Sequence, residues 1–163
     1  MDIIFKSDSI LEAEEPYIIH GCNAQGKMGS GVAKVLSDLY PMVREEYLKE
    51  HAAWPHAEQP FLGSMHVVET DNHTVFNAIT QEFYGYDGAL YASYDAIAQC
   101  MTTLNEFMRE QRALTGVTQS VAMPLLGCGL AGGDWNVVSG IIISTSPDYQ
   151  PVVYLNGAPI PGI

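Results

Sequence analysis

The sequence predicts an α/β protein, a three-layer α/β/α sandwich with a mixed central sheet. Three observations predict it. Short apolar runs of strand character alternate along the chain with segments of helical periodicity. Two glycine-rich loops each follow a buried strand-like run and precede a helix, the order expected of an open α/β sheet. The 163 residues are 47% hydrophobic and only 16% charged, which is globular composition with enough apolar residues for one core.

The elements follow in order. Residues 3–6 alternate weakly and read as a short first strand. Residues 17–20 follow an acidic, turn-rich stretch and run into Gly21, like a buried central strand. Residues 26–31 read Gly-Lys-Met-Gly-Ser-Gly, and residues 32–40 continue as a helix stopped by Pro41. A second short helix is expected over 43–51 and a Pro- and His-containing loop over 52–60. Residues 65–69 and 74–79 flank Asp71-Asn72-His73, a hairpin turn that makes the sheet mixed. Tyr94, Ile97, Ala98, Met101, Leu104 and Met108 recur at spacings of three and four, marking an amphipathic helix over 91–110. Its methionines read as core filler. Residues 121–126 form a buried strand that runs into Gly127-Cys128-Gly129-Leu130-Ala131-Gly132-Gly133. Asp134 is placed to cap a helix reaching Ser144. Residues 151–155 supply a last strand, and 157–163 is a Pro/Gly tail expected to be mobile. No repeat or linker divides the chain, so residues 1–156 are expected to be one domain.

Charge limits the partners. Seven Lys+Arg against 19 Asp+Glu leave a net charge of -12, which repels duplex DNA and anionic membranes. Nucleic acid is expected only as a modified substrate. The three cysteines, Cys22, Cys100 and Cys128, show no CxxC or Cys/His ligand spacing. They read as reduced thiols of a cytoplasmic protein, with no metal and no cofactor expected. No apolar segment approaches the ~20 residues of a membrane span, and no export signal opens the sequence.

The glycine loops carry the chemistry. Glycine lets a backbone approach a ligand closely and aim successive N–H groups at an anion. A helix N-terminus just beyond adds partial positive charge. Residues 20–36 contain Lys27 and Lys34 and no carboxylate, a locally positive patch on an acidic protein. Two such cradles suit a diphosphate. The first loop has neither the order of a P-loop nor that of a GxGxxG dinucleotide site.

The run His20-Gly21-Cys22-Asn23-Ala24-Gln25-Gly26-Lys27-Met28-Gly29-Ser30-Gly31-Val32-Ala33 resembles the first loop of macrodomains. Within that family it is most similar to the branch of ADP-ribose-1''-phosphate phosphatases and the terminal ADP-ribose glycohydrolase type. Pro124-Leu125-Leu126-Gly127-Cys128-Gly129-Leu130 with Asp134-Trp135 resembles the second loop, and Asn77-Ala78-Ile79-Thr80-Gln81 the central strand end. The resemblance runs in order from Asp8 to Tyr154. It implies binding of ADP-ribose or a derivative. Asp8, beside Ser9, falls where the family accepts from the adenine amino group, and Tyr154 borders the adenine. Asn23 falls on the asparagine that contacts the distal ribose, or else bonds its own loop. Lys27, Met28, Gly29, Ser30, Gly31 and Val32 would wrap the diphosphate from one side. Gly127, Cys128, Gly129, Leu130, Ala131, Gly132 and Gly133 would wrap it and the distal ribose from the other.

The resemblance also bears on catalysis. The glycohydrolase branch uses a lysine and an aspartate where this sequence has Gln81 and Ala131, so that mechanism is not expected. Hydrolysis of ADP-ribose-1''-phosphate to ADP-ribose and phosphate stays open, with His20 and Asp134 as candidate acid–base groups. His20 reads equally as a core histidine, and Asp134 as an N-cap alone. The loop of cysteine phosphatases is absent, which disfavours a nucleophilic Cys22 or Cys128. Two alternatives remain: a non-catalytic ADP-ribose reader, and a hydrolase acting on ADP-ribosylated macromolecules. His51, His56, His66 and His73 read as surface residues.

Overall fold

The computed structural model describes residues 1–56 and 58–162. The expectations for Ala57, for Ile163 and for the His56 side chain lie outside the described residues. Six strands, β1 (Ile4–Lys6), β2 (Tyr17–Asn23), β3 (Met65–Glu69), β4 (Thr74–Gln81), β5 (Ser120–Met123) and β6 (Gln150–Tyr154), form one sheet in the order β1-β6-β5-β2-β4-β3. All neighbours are parallel except β3, which pairs antiparallel with β4 through the expected hairpin. The sheet is therefore mixed, with β2 near its centre.

Four α-helices cover both faces: α1 (Gly31–Leu39), α2 (Pro41–Ala53), α3 (Tyr94–Thr115) and α4 (Trp135–Ser144). The strand period of two sorts the side chains between the layers. Ile19, Phe76, Val121, Met123 and Val153 face α3 and α4, joining Met101, Leu104, Val138 and Ile142. Ile18, Cys22, Val75, Ile79 and Ala122 face α1 and α2, joining Leu36, Val43 and Tyr47. The methionine stripe of α3 is core, as its spacing predicts: Met101 and Met108 have no exposed surface.

The element boundaries move for local reasons. The helix expected from 91 starts at Tyr94, capped by the Ser93 hydroxyl, which accepts from the Ala96 N–H at 3.2 Å. The helix runs on past its last buried residue, Met108, until Gly116 adopts φ 74°, a left-handed C-terminal turn. β5 stops at Met123 because Pro124 cannot extend the ladder. Pro41 both ends α1 and opens α2, where its missing N–H leaves nothing unmet. A short 3₁₀ turn, Trp54–His56, follows α2 in the segment expected to be loop. At the far end, Gly157 N–H donates to the Ser7 carbonyl at 2.7 Å and Asn156 N–H to the Asp8 carbonyl at 3.0 Å, tying the chain after β6 to β1.

No helix of the structure is long and apolar enough to cross a membrane. Cys22, Cys100 and Cys128 are all unpaired. Among the described residues, no three His, Cys, Asp or Glu gather into a group able to hold a metal ion.

Candidate functional site

Five parallel strands deliver their carboxyl ends to one edge of the sheet, where ligands of open α/β folds collect. The glycine loop after β2 and the one after β5 emerge there side by side, because β2 and β5 are neighbours. Between them lies a cleft of about 300 Å³.

The first loop is braced from below. Tyr47 of α2 is fully buried, and its hydroxyl sits 2.7 Å from the Asn23 carbonyl and 2.9 Å from Asn23 Oδ1. The same hydroxyl accepts from the Lys27 N–H at 3.1 Å. His51, one turn on, lies 3.1 Å from the Ala24 carbonyl, and its ring packs where a Cβ on Gly26 would stand. The second loop closes on itself: Cys128 N–H donates to Leu125, Gly132 N–H to Gly129 and Gly133 N–H to Gly127. Gly132 packs against the Ala89 carbonyl and has φ 74°, so both space and backbone require glycine there.

The cleft faces of the loops are built differently. The N–H groups of residues 28–31 and 129–131 donate to no acceptor among the described residues. Met28, Gly29, Ser30, Gly31 and Val32 line one side; Gly127, Gly129, Leu130 and Ala131 line the other. A Cβ on Gly29 or Gly129 would meet no heavy atom within 4 Å, and neither residue has a left-handed φ. Neither packing nor conformation demands glycine at those two positions. What glycine does there is leave main chain bare toward the cleft. Helix α1 starts at Gly31 with no acidic residue in its first turn, so its positive end opens on the same space.

The other expected residues divide. Asn23 and Lys27 line the cleft. The Asn23 side chain is largely engaged by its own loop: Nδ2 donates to Lys27 O at 2.7 Å, and Oδ1 accepts from Gln25 N–H at 2.9 Å. One amide hydrogen remains. Asp8 is exposed beyond β1, and its carboxylate has no hydrogen-bond partner among the described residues. Ser9 caps the short 3₁₀ turn Ile10–Glu12. Tyr154 is buried, and its hydroxyl donates to the Glu15 carboxylate; Lys6 lies 3.5 Å from the same carboxylate. Tyr154, Cys128, Gly132 and Gly133 do not line the cleft.

Of its two readings, His20 takes the core one. It has no exposed surface, and Nε2 lies 2.6 Å from Asn77 Oδ1, while Asn77 Nδ2 donates to the Val43 carbonyl. Burial lowers its pKa to about 4 against the opposing pull of the Asn77 bond. It does not titrate near neutrality: the strand period puts it on the α1/α2 face of the sheet, where its ring is fully buried and does not line the cleft. Asp134 is the N-cap of α4, its carboxylate accepting from the Asn136 N–H at 2.9 Å. It too stands outside the cleft lining. Of the thiols, burial raises Cys22 first, with Cys100 adding, and raises Cys128 to about 11. Neither is a ready nucleophile. The surface reading of the remaining histidines also changes. His51 and His73 are half-buried and bonded to backbone carbonyls, and His66 stacks on Phe61.

Sequence reasoning missed the loop after β4. Tyr84, Gly85 and Tyr86 form a third wall of the cleft, with Thr80 and Gln81 at the strand end. Gln81 stands opposite Asn23 in the ladder, and its Nε2 donates to the Phe83 carbonyl. An aromatic–glycine run directly after a buried strand was the available signal, once β4 is placed parallel to β2.

The comparisons with known proteins agree with this geometry. Residues 19–142 match the model of the Macro domain family. A protein of Enterobacteria phage T4, described as an uncharacterized 17.5 kDa protein in the tk-vs intergenic region, is 32% identical over 147 residues, spanning 88% of each chain. Among solved structures, the macrodomain of Mycobacterium tuberculosis DarG superposes with a TM-score of 0.76 at 26% identity, covering 94% of this chain and 97% of that one. Thermosipho africanus DarTG, solved in complex with ADP-ribose, shares the fold at a TM-score of 0.73 and 15% identity, over 98% of this chain and 43% of that one. The chain belongs to the Macro domain family.

Proposed function

We propose that this protein binds ADP-ribose, or a close derivative, with the diphosphate held between the two glycine loops. One observation carries the reading: residues 28–31 and 129–131, whose N–H groups have no acceptor among the described residues, line a common cleft from its two loops. A diphosphate presents acceptor oxygens in two directions and fits two such donor surfaces. Bare main chain at Gly29 and Gly129, the Lys27 charge and the positive end of α1 support the same ligand. Family membership supports it too, as does the ADP-ribose complex of the Thermosipho africanus protein. On this reading Asn23 meets the distal ribose through its remaining amide hydrogen. Asp8, with Ser9, meets the adenine amino group.

Hydrolysis of ADP-ribose-1''-phosphate is the further step that the resemblance implies. It needs an acid or base at the phosphate. His20 is sealed in the core and Asp134 caps a helix, so the cleft favours binding over turnover. Calorimetry with ADP-ribose and with AMP tests the binding, and ADP-ribose is expected to bind at least about tenfold tighter, about 1.4 kcal/mol. Equal affinities would sink the reading. Phosphorus NMR of ADP-ribose-1''-phosphate with substoichiometric protein tests turnover. Inorganic phosphate beyond one equivalent of protein would make the chain an enzyme and bring Asp134 back as a candidate.

A further inference from the structure

Helix α2 buries Val43 and Tyr47, four positions apart and so on one face, toward the sheet. Tyr47 has no exposed surface, and its ring packs against His51 and Phe61, with centroids 6.5 and 6.3 Å away. That packing leaves its hydroxyl little freedom to choose partners. The hydroxyl meets the first glycine loop at three atoms: the Asn23 carbonyl at 2.7 Å, Asn23 Oδ1 at 2.9 Å and the Lys27 N–H at 3.1 Å. Burial, with Cys22 adding, holds the Tyr47 pKa well above its ordinary value, so the oxygen keeps its proton near neutrality.

The Asn23 amide has little to spare. Oδ1 accepts from the Gln25 N–H and lies against the Tyr47 hydroxyl, and one Nδ2 hydrogen goes to the Lys27 carbonyl. Turning the amide over would set Nδ2 against the Gln25 N–H and Oδ1 against the Lys27 carbonyl, replacing two hydrogen bonds with two like pairs. Asn23 lines the cleft, and what it can offer there is a donor. Gln25 and Lys27 belong to the loop and move with it. Of the groups bonded to the Asn23 side chain, only Tyr47 stands on a helix. The loop has ties of its own: Ala24 N–H donates to the Glu82 carbonyl at 3.2 Å, Gln25 Nε2 to the same carbonyl at 3.1 Å, and His51 lies 3.1 Å from the Ala24 carbonyl. Removing the Tyr47 oxygen therefore frees the Asn23 amide more than it frees the loop.

We infer that Tyr47 is a positioning residue that sets specificity: it holds Asn23 with its spare N–H toward the cleft, where it selects a ligand atom that accepts a hydrogen bond. The inference deepens the ADP-ribose reading above and rests on it, with a hydroxyl oxygen of the distal ribose as the accepting atom. Two jobs of the first loop are thereby separated. Its backbone amides hold a diphosphate whatever is attached to it. Tyr47, acting through Asn23, tells a ligand with a second sugar from one without. A ligand that ends at the diphosphate gains nothing from Tyr47.

The test is calorimetry with ADP-ribose and with ADP, on the unaltered protein, Tyr47→Phe, Asn23→Ala and the double variant. Phenylalanine keeps the buried ring and removes only the oxygen. Tyr47→Phe is expected to weaken ADP-ribose about tenfold, the scale of one well-placed hydrogen bond, and ADP by less than about twofold. In the Asn23→Ala background the same change should cost less than about twofold with either ligand, since no amide is left to hold. Equal losses for both ligands, no loss of ADP-ribose, or an additive loss in the double variant overturns the role of Tyr47 and leaves the ADP-ribose reading standing. If Tyr47→Phe does not fold, nitrogen-15 NMR of the unaltered protein decides. ADP-ribose, and not ADP, should shift one Asn23 side-chain hydrogen, while the other, bonded to the Lys27 carbonyl, stays protected from exchange. Both hydrogens exchanging alike, the same shift with ADP, or no shift with bound ADP-ribose overturns the positioning role. An unaltered protein that binds no ADP-ribose overturns the underlying reading, and this inference with it.

Discussion

His20 enters the fold as a neutral ring bonded to Asn77, beneath α2. An unfolded chain holds histidine near its ordinary pKa of about 6.5, whereas burial lowers the folded value to about 4. Between those values the unfolded state takes up a proton that the folded state refuses. Stability is therefore complete above about pH 6.5 and falls as the pH drops toward 4, by about 3 kcal/mol from this residue. His66 is shifted in the same direction, again by burial first, and adds to the slope. Urea unfolding at stepped pH should show this decline, and His20→Gln should flatten it relative to its own value at pH 7. An unchanged slope in the variant would mean that His20 is not the group responsible. The sequence left two readings of His20 open because it stands at the end of a strand feeding a loop, where core and site meet. Only its partner decided between them. Asn77 lies 57 positions away in β4, and the 2.6 Å bond joins residues brought together by the sheet register. Tyr47 is a similar case. Nothing in a helical segment marks one tyrosine as the brace of a loop 20 residues earlier.

Glycine content alone overstated how uniform the two loops are. Gly132 is required by its φ of 74° and by its packing against Ala89, and Gly129 by neither conformation nor packing. The two positions should separate when each is changed to alanine. Gly132→Ala strains the loop and should lower stability by about 1–3 kcal/mol. Gly129→Ala should leave stability unchanged or raise it by up to about 1 kcal/mol, since alanine narrows the unfolded ensemble. The same variant should weaken ADP-ribose binding by about tenfold or more, because its methyl group takes space beside bare main chain. Denaturant unfolding paired with calorimetry reads both effects. A Gly129→Ala protein that unfolds early, or that binds as tightly as the parent, would contradict this assignment. At this scale the order of strands and helices was legible, since period two and period 3.6 leave distinct marks. The ends were less so. The stripe of α3 stops at Met108, yet the helix continues to Thr115 on an exposed surface, ended by the left-handed Gly116. Apolar periodicity reports where a helix touches the core, and caps report where it stops.

Across the whole molecule the acidic excess sets both partners and stability. Nineteen carboxylates against seven cations repel one another in the compact state. The few ion pairs, such as Arg112–Asp148 at 2.7 Å and Lys6–Glu15 at 3.5 Å, offset only part of that repulsion. Raising sodium chloride from about 20 to about 200 mM shortens the screening length below the spacing of most surface charges. The melting temperature should rise by a few degrees. A fall would show that the ion pairs outweigh the repulsion. The cations left over from those pairs are not spread evenly, for Lys27 and Arg44 border the same hollow from a loop and a helix.

By itself the sequence determined the α/β class, the mixed sheet, the two glycine loops and the net charge. Each of these is written in local patterns: periodicity, turn residues and counts. The tertiary structure decided which loop amides are left without acceptors, that His20 is buried against Asn77 while Asp134 caps α4, and that Tyr84 and Tyr86 wall the cleft. It also brought Lys27 and Arg44 together. The physical reason is common to all four. Hydrogen-bond partnership, burial and local field depend on neighbours far apart along the chain, and the register and packing of the sheet choose those neighbours.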